Sequence, residues 1–294
     1  MKDRTVLITG CSPGGIGHAM ARQFQQRGYH VIATARNTEV LKDLEANGMT
    51  TLELEVTNTN SIKLLHEKVL KICPNGLDFL VNNAGINCTI PALDLNMADA
   101  RRTFETNVFA VMELVQIFAP QLIQAKGTIA MIGSLASEMP YVFGSVYNAS
   151  KAALLAYANT LRVELAPFDV SVITVMTGGV KSQLTKKTPK FIPTGSIYAP
   201  IKEHFERRKL HSAEVGVEPD AYAAQVVDQL IPGAGPWPWI WFMKDARRHW
   251  IWAGGSSNLV WLLSAGWWRH GLFDWYFTRK FHLDLLADEK AKKA

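Results

Sequence analysis

Tyr147 and Lys151 stand four residues apart in Gly144 to Ala166, a segment whose apolar spacing predicts a helix, so both side chains fall on one face and can act together. A free phenol has a pKa of about 10 and exchanges protons poorly at neutral pH, so a nearby ammonium that favours phenolate would make it a usable acid or base. Lys151 is suited to that task. A Tyr-x-x-x-Lys pair alone also describes an exposed helix face. Ser134, at the end of the predicted strand Thr128 to Ile132, adds a hydroxyl that raises the pair above chance. The pair has the chemistry of an acid–base site.

A second group of residues points to phosphate. Directly after the predicted strand Thr5 to Thr9 comes Gly10-Cys11-Ser12-Pro13-Gly14-Gly15-Ile16-Gly17, and a helix follows. Glycines there let the chain turn sharply and let a pyrophosphate approach unpaired N–H groups at the helix start. A tight connection is the plainer alternative, but the position in the first βα unit favours a dinucleotide, with Gly10, Ser12, Gly15, Ile16 and Gly17 as its contacts. The second strand ends in Ala33-Thr34-Ala35-Arg36-Asn37, with no acid before Glu39. An acid at that point would repel a ribose 2′-phosphate and an Arg would pair with it, so Arg36 favours NADP(H), the alternative being a solvated surface cation.

The elements that must position these residues alternate short β-branched runs with longer amphipathic segments. Strands are expected at Thr5 to Thr9, Tyr29 to Ala33, Thr51 to Glu55, Phe79 to Val81, Thr128 to Ile132 and Val170 to Val175. Helices are expected at Gly17 to Arg27, Thr38 to Ala46, Asn60 to Ile72, Ala98 to Gln124 and Gly144 to Ala166. This order predicts an α/β fold, a doubly wound parallel sheet flanked by helices. We read residues 1–236 as one such domain. Within it Lys181 to Val217 loses periodicity, and a structureless segment of that length is read as a substrate loop rather than a plain surface connection.

With 294 residues, 48% of them hydrophobic and 19% charged, the chain can bury a core without disulfides or metals, which excludes disorder, fibrous repeats and a small cystine scaffold. Cys11, Cys73 and Cys88 are an odd, scattered set, so no metal site is expected and a reducing compartment fits. Met1-Lys2-Asp3-Arg4 runs straight into the first strand and leaves no room for a signal peptide, so an intracellular protein is expected. Residues 237–294 differ from the rest: all nine tryptophans lie between Trp237 and Trp275, with nine Lys/Arg against five Asp/Glu.

Five motifs in order resemble the short-chain dehydrogenases/reductases: the glycine turn, Asn82-Asn83-Ala84-Gly85, Asn107 in Thr106-Asn107-Val108, Ser134, and Tyr147-Asn148-Ala149-Ser150-Lys151. The resemblance covers about residues 4 to 232 and implies a Rossmann fold with a catalytic tetrad of Asn107, Ser134, Tyr147 and Lys151. In it Tyr147 would protonate the carbonyl oxygen, Ser134 would orient that oxygen, and Lys151 would hold the nicotinamide ribose and depress the Tyr147 pKa. Asn107 would hold a relay water. It also implies cofactor contacts from Asn83, Ala84, Gly85, Val180 and Ser182, with Glu55 where the family usually has an Asp near the adenine. The glycine turn is one residue longer than the family's usual pattern, and Thr177-Gly178-Gly179 replaces its Pro-Gly. The Cys-Ser-Pro-Gly-Gly-Ile-Gly-His pattern and the aromatic extension are similar to a fungal subgroup of NADPH-dependent 1-acyldihydroxyacetone phosphate reductases.

The extension has several readings. Trp250 to Trp268 is uncharged and nearly long enough to span a bilayer, yet Gly254 to Asn258 interrupts it. One reading makes Trp250 to Ala253 a seventh strand, Gly254 to Asn258 a turn and cap, and Leu259 onward an amphipathic helix. Indole and cationic residues together favour a membrane interface, with a packed, dimer-forming or substrate-lining extension as alternatives. Nucleic acid is not expected, because the basic residues are few. The expected activity is NADPH-dependent reduction of a hydrophobic ketone or aldehyde, or the reverse, in the cytoplasm or on the cytoplasmic face of the endoplasmic reticulum or a lipid droplet. Substrates considered are an acyl-dihydroxyacetone phosphate, a steroid-like ketone, or a polyketide or terpenoid intermediate. The rival is a nucleotide-binding scaffold or lipid-surface protein with a vestigial tetrad.

Overall fold

The computed structural model describes residues 4–138, 141–182, 191–199, 202–203, 205–206, 208, 214, 216–231, 249–258 and 261. Seven strands form one parallel sheet: β1 (Thr5–Ile8), β2 (His30–Ala35), β3 (Thr50–Glu53), β4 (Phe79–Asn82), β5 (Thr128–Ile132), β6 (Ser171–Thr177) and β7 (Trp250–Ala253). Their order is β3-β2-β1-β4-β5-β6-β7. Successive strands are added on one side of β1 up to β3 and on its other side from β4 onward, and in such sheets ligands lie in the crevice beyond the strand ends at that switch point. β1 and β4 are buried throughout, because each parallel strand has helices over both faces.

One face carries α1 (Ile16–Gln26) and α7 (Pro219–Leu230), and the other carries α3 (Thr59–Ile72), α5 (Ala110–Ala125) and α6 (Ser145–Leu165). The first layer packs Met20, Phe24, Val226 and Val227 against the sheet, and Arg22 with Asp220 and Arg27 with Asp228 tie α1 to α7 at the rim. The second layer packs Ile62, Leu65, Leu114, Phe118 and Leu154. Among the described residues there are also the short helices α2 (Lys42–Ala46) and α4 (Met97–Phe104).

The expected helix Thr38 to Ala46 divides into a 3-10 turn at Thr38–Leu41 and α2. Ala98 to Gln124 likewise contains a wide π turn at Glu105–Phe109, between α4 and α5. By length and composition Met97–Ala125 could cross a membrane, but Val111, Leu114, Phe118 and Leu122 lie in the second core layer, as in a core helix. α7 was absent from the sequence reading, although Pro219 at its first turn and Tyr222, Ala223, Val226, Val227 and Leu230 at helical spacing announce it.

β7 confirms the seventh-strand reading of Trp250 to Ala253. It pairs in parallel with β6 from Thr174↔Trp250 to Thr177↔Ala253 and buries Ile251 and Ala253. A membrane span starting at Trp250 is therefore ruled out, since those residues are committed to the sheet. Gly254 turns the chain with φ +90°, Gly255 bridges to Gly179, and Ser257 and Asn258 begin a helical turn. The amphipathic helix expected from Leu259 onward lies outside the described residues, apart from Trp261.

Candidate active site

The C-terminal ends of β1, β4, β5 and β6 converge on one crevice, and each contributes a turn. Beyond β1, Gly10 takes φ +74°, and a Cβ there would stand 2.9 Å from the Ala84 Cα. Gly17 in the first turn of α1 is pressed as closely: a Cβ would come within 2.6 Å of the Gly10 carbonyl oxygen. Glycine at both positions thus lets the turn fold flat against the β4 end. Asn83 clamps that arrangement, its amide donating to the carbonyls of Thr9 (2.8 Å) and Gly10 (3.0 Å). The Thr9 hydroxyl accepts the main-chain N–H groups of Asn83 and Ala84. The structure therefore gives Asn83 a share in shaping the turn.

Gly15 caps α1 with no side-chain hydrogen bond, which leaves first-turn N–H groups available to an anion. At the ends of β2 and β3, Arg36 has a side chain 75% exposed, with its Nε 4.0 Å from the Glu55 carboxylate. The guanidinium is exposed enough to meet a phosphate, its one ionic contact being this long one to Glu55 among the described residues. Glycine turn, uncapped helix start and exposed Arg36 lie along one edge of the crevice, and they fit a phosphorylated dinucleotide.

The tetrad assembles at the other edge. Ser134 follows β5 and caps a short 3-10 turn, its Oγ accepting from Ala136 N at 3.2 Å. Its hydroxyl also acts on the Tyr147 hydroxyl, favouring the phenolate. Tyr147 and Lys151 share a face of α6, with the Lys151 Nζ 5.9 Å from the Tyr147 ring centre. That ammonium is buried and donates to the Ile132 carbonyl at 2.7 Å. Asn107 sits in the π turn, 1% exposed, and is locked on both sides. Its Oδ1 accepts from Ile86 N (2.9 Å), while its Nδ2 donates to Ile86 O and Ser150 Oγ (both 3.0 Å). Ser150 in turn donates to the Tyr147 carbonyl at 2.8 Å.

The electrostatics differ from expectation on one point. Burial raises the Tyr147 pKa above its ordinary value, and the groups that oppose this are Ser134 through its hydroxyl and Arg208 through its charge. Lys151 is not among them. Its own pKa is pushed down to about 8 because burial penalises the ammonium. Tyr147 is accordingly a protonated phenol across the physiological range, the form that can donate a proton.

The family model for short chain dehydrogenases matches residues 4–192. The chain belongs to the short-chain dehydrogenase family. This short-chain dehydrogenase is 42% identical over 261 residues to the NADPH-dependent 1-acyldihydroxyacetone phosphate reductase of Schizosaccharomyces pombe, covering 87% of each chain. Among solved structures it resembles a short-chain dehydrogenase from Streptomyces avermitilis, with TM-score 0.74, 26% identity and coverage of 95% of this chain and 98% of that one. It also resembles a metagenomic short-chain oxidoreductase in complex with NADP, with TM-score 0.59, 28% identity and coverage of 77% and 90%.

At the β6 end of this dehydrogenase, Val180 is buried and bridges Val217, while Ser182 N donates to the Val180 carbonyl at 2.8 Å. The bridge draws together the two ends of the segment read as a substrate loop. Sequence reasoning missed two residues here. Ser150, the link between Asn107 and Tyr147, carries no signal of its own inside a helix. Arg208 comes from the aperiodic segment, where no spacing rule says which side chains return to the crevice.

Proposed function

We propose that this protein is a carbonyl reductase that transfers hydride from NADPH to a hydrophobic ketone or aldehyde, or runs the reverse oxidation. NADP(H) is its cofactor, in keeping with the NADPH-dependent Schizosaccharomyces pombe relative and the NADP complex of the metagenomic neighbour. When bound, it supplies the hydride that reaches the carbonyl carbon. The glycine turn and the start of α1 hold its pyrophosphate, and Arg36 meets the 2′-phosphate.

The observation that carries the reading is the grouping of half-buried Ser134 and Tyr147 with the buried Lys151 at the end of β5. Tyr147, kept protonated by burial, donates its hydroxyl proton to the carbonyl oxygen, and Ser134 orients that oxygen. Lys151 spends one of its three hydrogens on the Ile132 carbonyl, leaving two for ribose hydroxyls. Asn107 acts as a positioning residue. Both hydrogens of its side-chain amide are committed, so a relay water would have to use its main-chain carbonyl.

The substrate class follows the relative, whose name specifies a 1-acyldihydroxyacetone phosphate, with apolar steroid-like, polyketide and terpenoid ketones as the other members of a test panel. The reading is tested by NADPH oxidation over that panel with Tyr147→Phe as the control. Turnover lost in the variant while NADPH still binds supports it; a fully active variant overturns it. The tryptophan-rich, basic residues 237–294 support a further part of the proposal, interfacial association with the cytoplasmic face of a membrane.

A further inference from the structure

Arg208 brings a cation to the crevice. Its guanidinium carbon stands 3.4 Å from the centre of the Tyr141 ring, and its charge acts on the Tyr147 hydroxyl. Its Nε is buried and makes no hydrogen bond, and among the described residues it forms no ion pair. Nearby Phe205 is fully buried and meets Phe143 edge-on with ring centres 5.5 Å apart, so three residues before Arg208 and two after Tyr141 the two segments are packed together.

A guanidinium withdrawn from water costs free energy unless charge-assisted hydrogen bonds offset the loss, and Arg cannot shed its proton to escape the cost. The face of one tyrosine offsets only part of it. A buried polar group left unsatisfied in a native fold calls for a reason, and a bound ion or ligand that completes it is one such reason. The planar fork of Arg matches the oxygens of phosphate or carboxylate in pairs, while its other face lies on an aromatic ring.

We propose that Arg208, stacked on Tyr141 beside Tyr147, is the substrate-recognition residue for an oxyanionic group, a phosphate monoester or carboxylate borne by the ketone. This deepens the reductase reading and rests on it, because it places the anion next to the proton donor. A charged group there would fix which carbonyl of a long apolar molecule faces Tyr147.

The full-length protein loaded with NADP+ is titrated calorimetrically with dodecyl phosphate, dodecanoate and dodecanol, each below its micellar range. One of the two anions is expected to bind at least about tenfold more tightly than the alcohol, as one charge-assisted contact would give. The tighter of the two identifies the source of the oxyanion. Arg208→Gln is expected to abolish the preference while NADP+ affinity is unchanged, and Arg208→Lys, which keeps the charge, is expected to retain part of it. Tyr147→Phe keeps the preference, because holding an anion requires no proton transfer. A preference that survives Arg208→Gln, or wild-type protein that binds the alcohol as well as both anions, overturns the assignment. An Arg208→Gln protein with impaired NADP+ binding shifts the decision to Arg208→Lys, where complete loss of preference overturns it. Absence of ketone turnover with the anion preference intact overturns the reductase reading instead.

Discussion

Lys151 couples the proposed chemistry to stability. Its folded pKa of about 8 lies below the ordinary lysine value of 10.5, so between those values the unfolded chain binds more protons than the folded one. Stability contributed at this position therefore rises as pH climbs from about 8 to 10.5, and below 8 the buried ammonium is a standing cost. Lys151→Met is expected to raise the melting temperature at pH 7, with the gain shrinking toward pH 10, while activity falls; thermal scans at the two pH values check it. The same titration should appear in kinetics. Tyr147 holds its proton past pH 10, so kcat/KM for NADPH in the reductive direction should decline above about pH 8 as Lys151 loses its charge, and a plateau to pH 10 would contradict this. Arg36→Ala should weaken NADPH at least about tenfold with little change for NADH, since only the former offers a phosphate to pair, and equal losses in a fluorescence titration would refute the contact.

At the scale of elements, the glycine turn and the β4 end behave as one unit. Gly17→Ala would drive a methyl into the Gly10 carbonyl and the Asn83 amide, both held by other hydrogen bonds, so neither can give way cheaply. We expect it to cost about 1–3 kcal/mol of stability and most of the NADPH affinity, measured by denaturant unfolding and cofactor titration. The π turn at Glu105–Phe109 has a comparable role on the opposite edge. Its wider coil carries Asn107 to the point where it joins the Ile86 main chain to Ser150 on α6, and a regular helix there would rotate the residues that follow.

For the whole molecule, the sheet is not complete until β7 arrives from the tryptophan-rich region. A chain ending at residue 236 would expose β6 and lose the buried Ile251, worth about 1.5–3 kcal/mol for its side chain alone, together with the bridges from Gly255 to Gly179. Such a chain is expected to unfold without a cooperative transition, whereas one ending at Asn258 should retain one; calorimetry of the two separates these outcomes. Membrane association is therefore tested by liposome flotation of the full chain against the version ending at Asn258. Equal partitioning of both would remove the extension as a membrane contact.

The amino-acid sequence makes legible the strand and helix order, the glycine turn, and the pairing of Tyr147 with Lys151, because these depend on period and spacing within one element. It also marked Ser134, which lies at a strand end where side chains meet the crevice. Helix α7 was legible as well, in its Pro219 start and apolar spacing, but was hidden at the border of an aperiodic segment. The charge state of the site follows instead from the folded packing. Burial, not the neighbouring ammonium, sets the Tyr147 proton and lowers Lys151, and burial is a property of everything packed around a residue. The same holds for the hydrogen bonds that commit Asn107 and for Arg208, which reaches Tyr141 across 67 positions of chain. Contacts between residues so far apart in sequence are chosen by the packing of the sheet and its layers, and no local pattern of residue types encodes them.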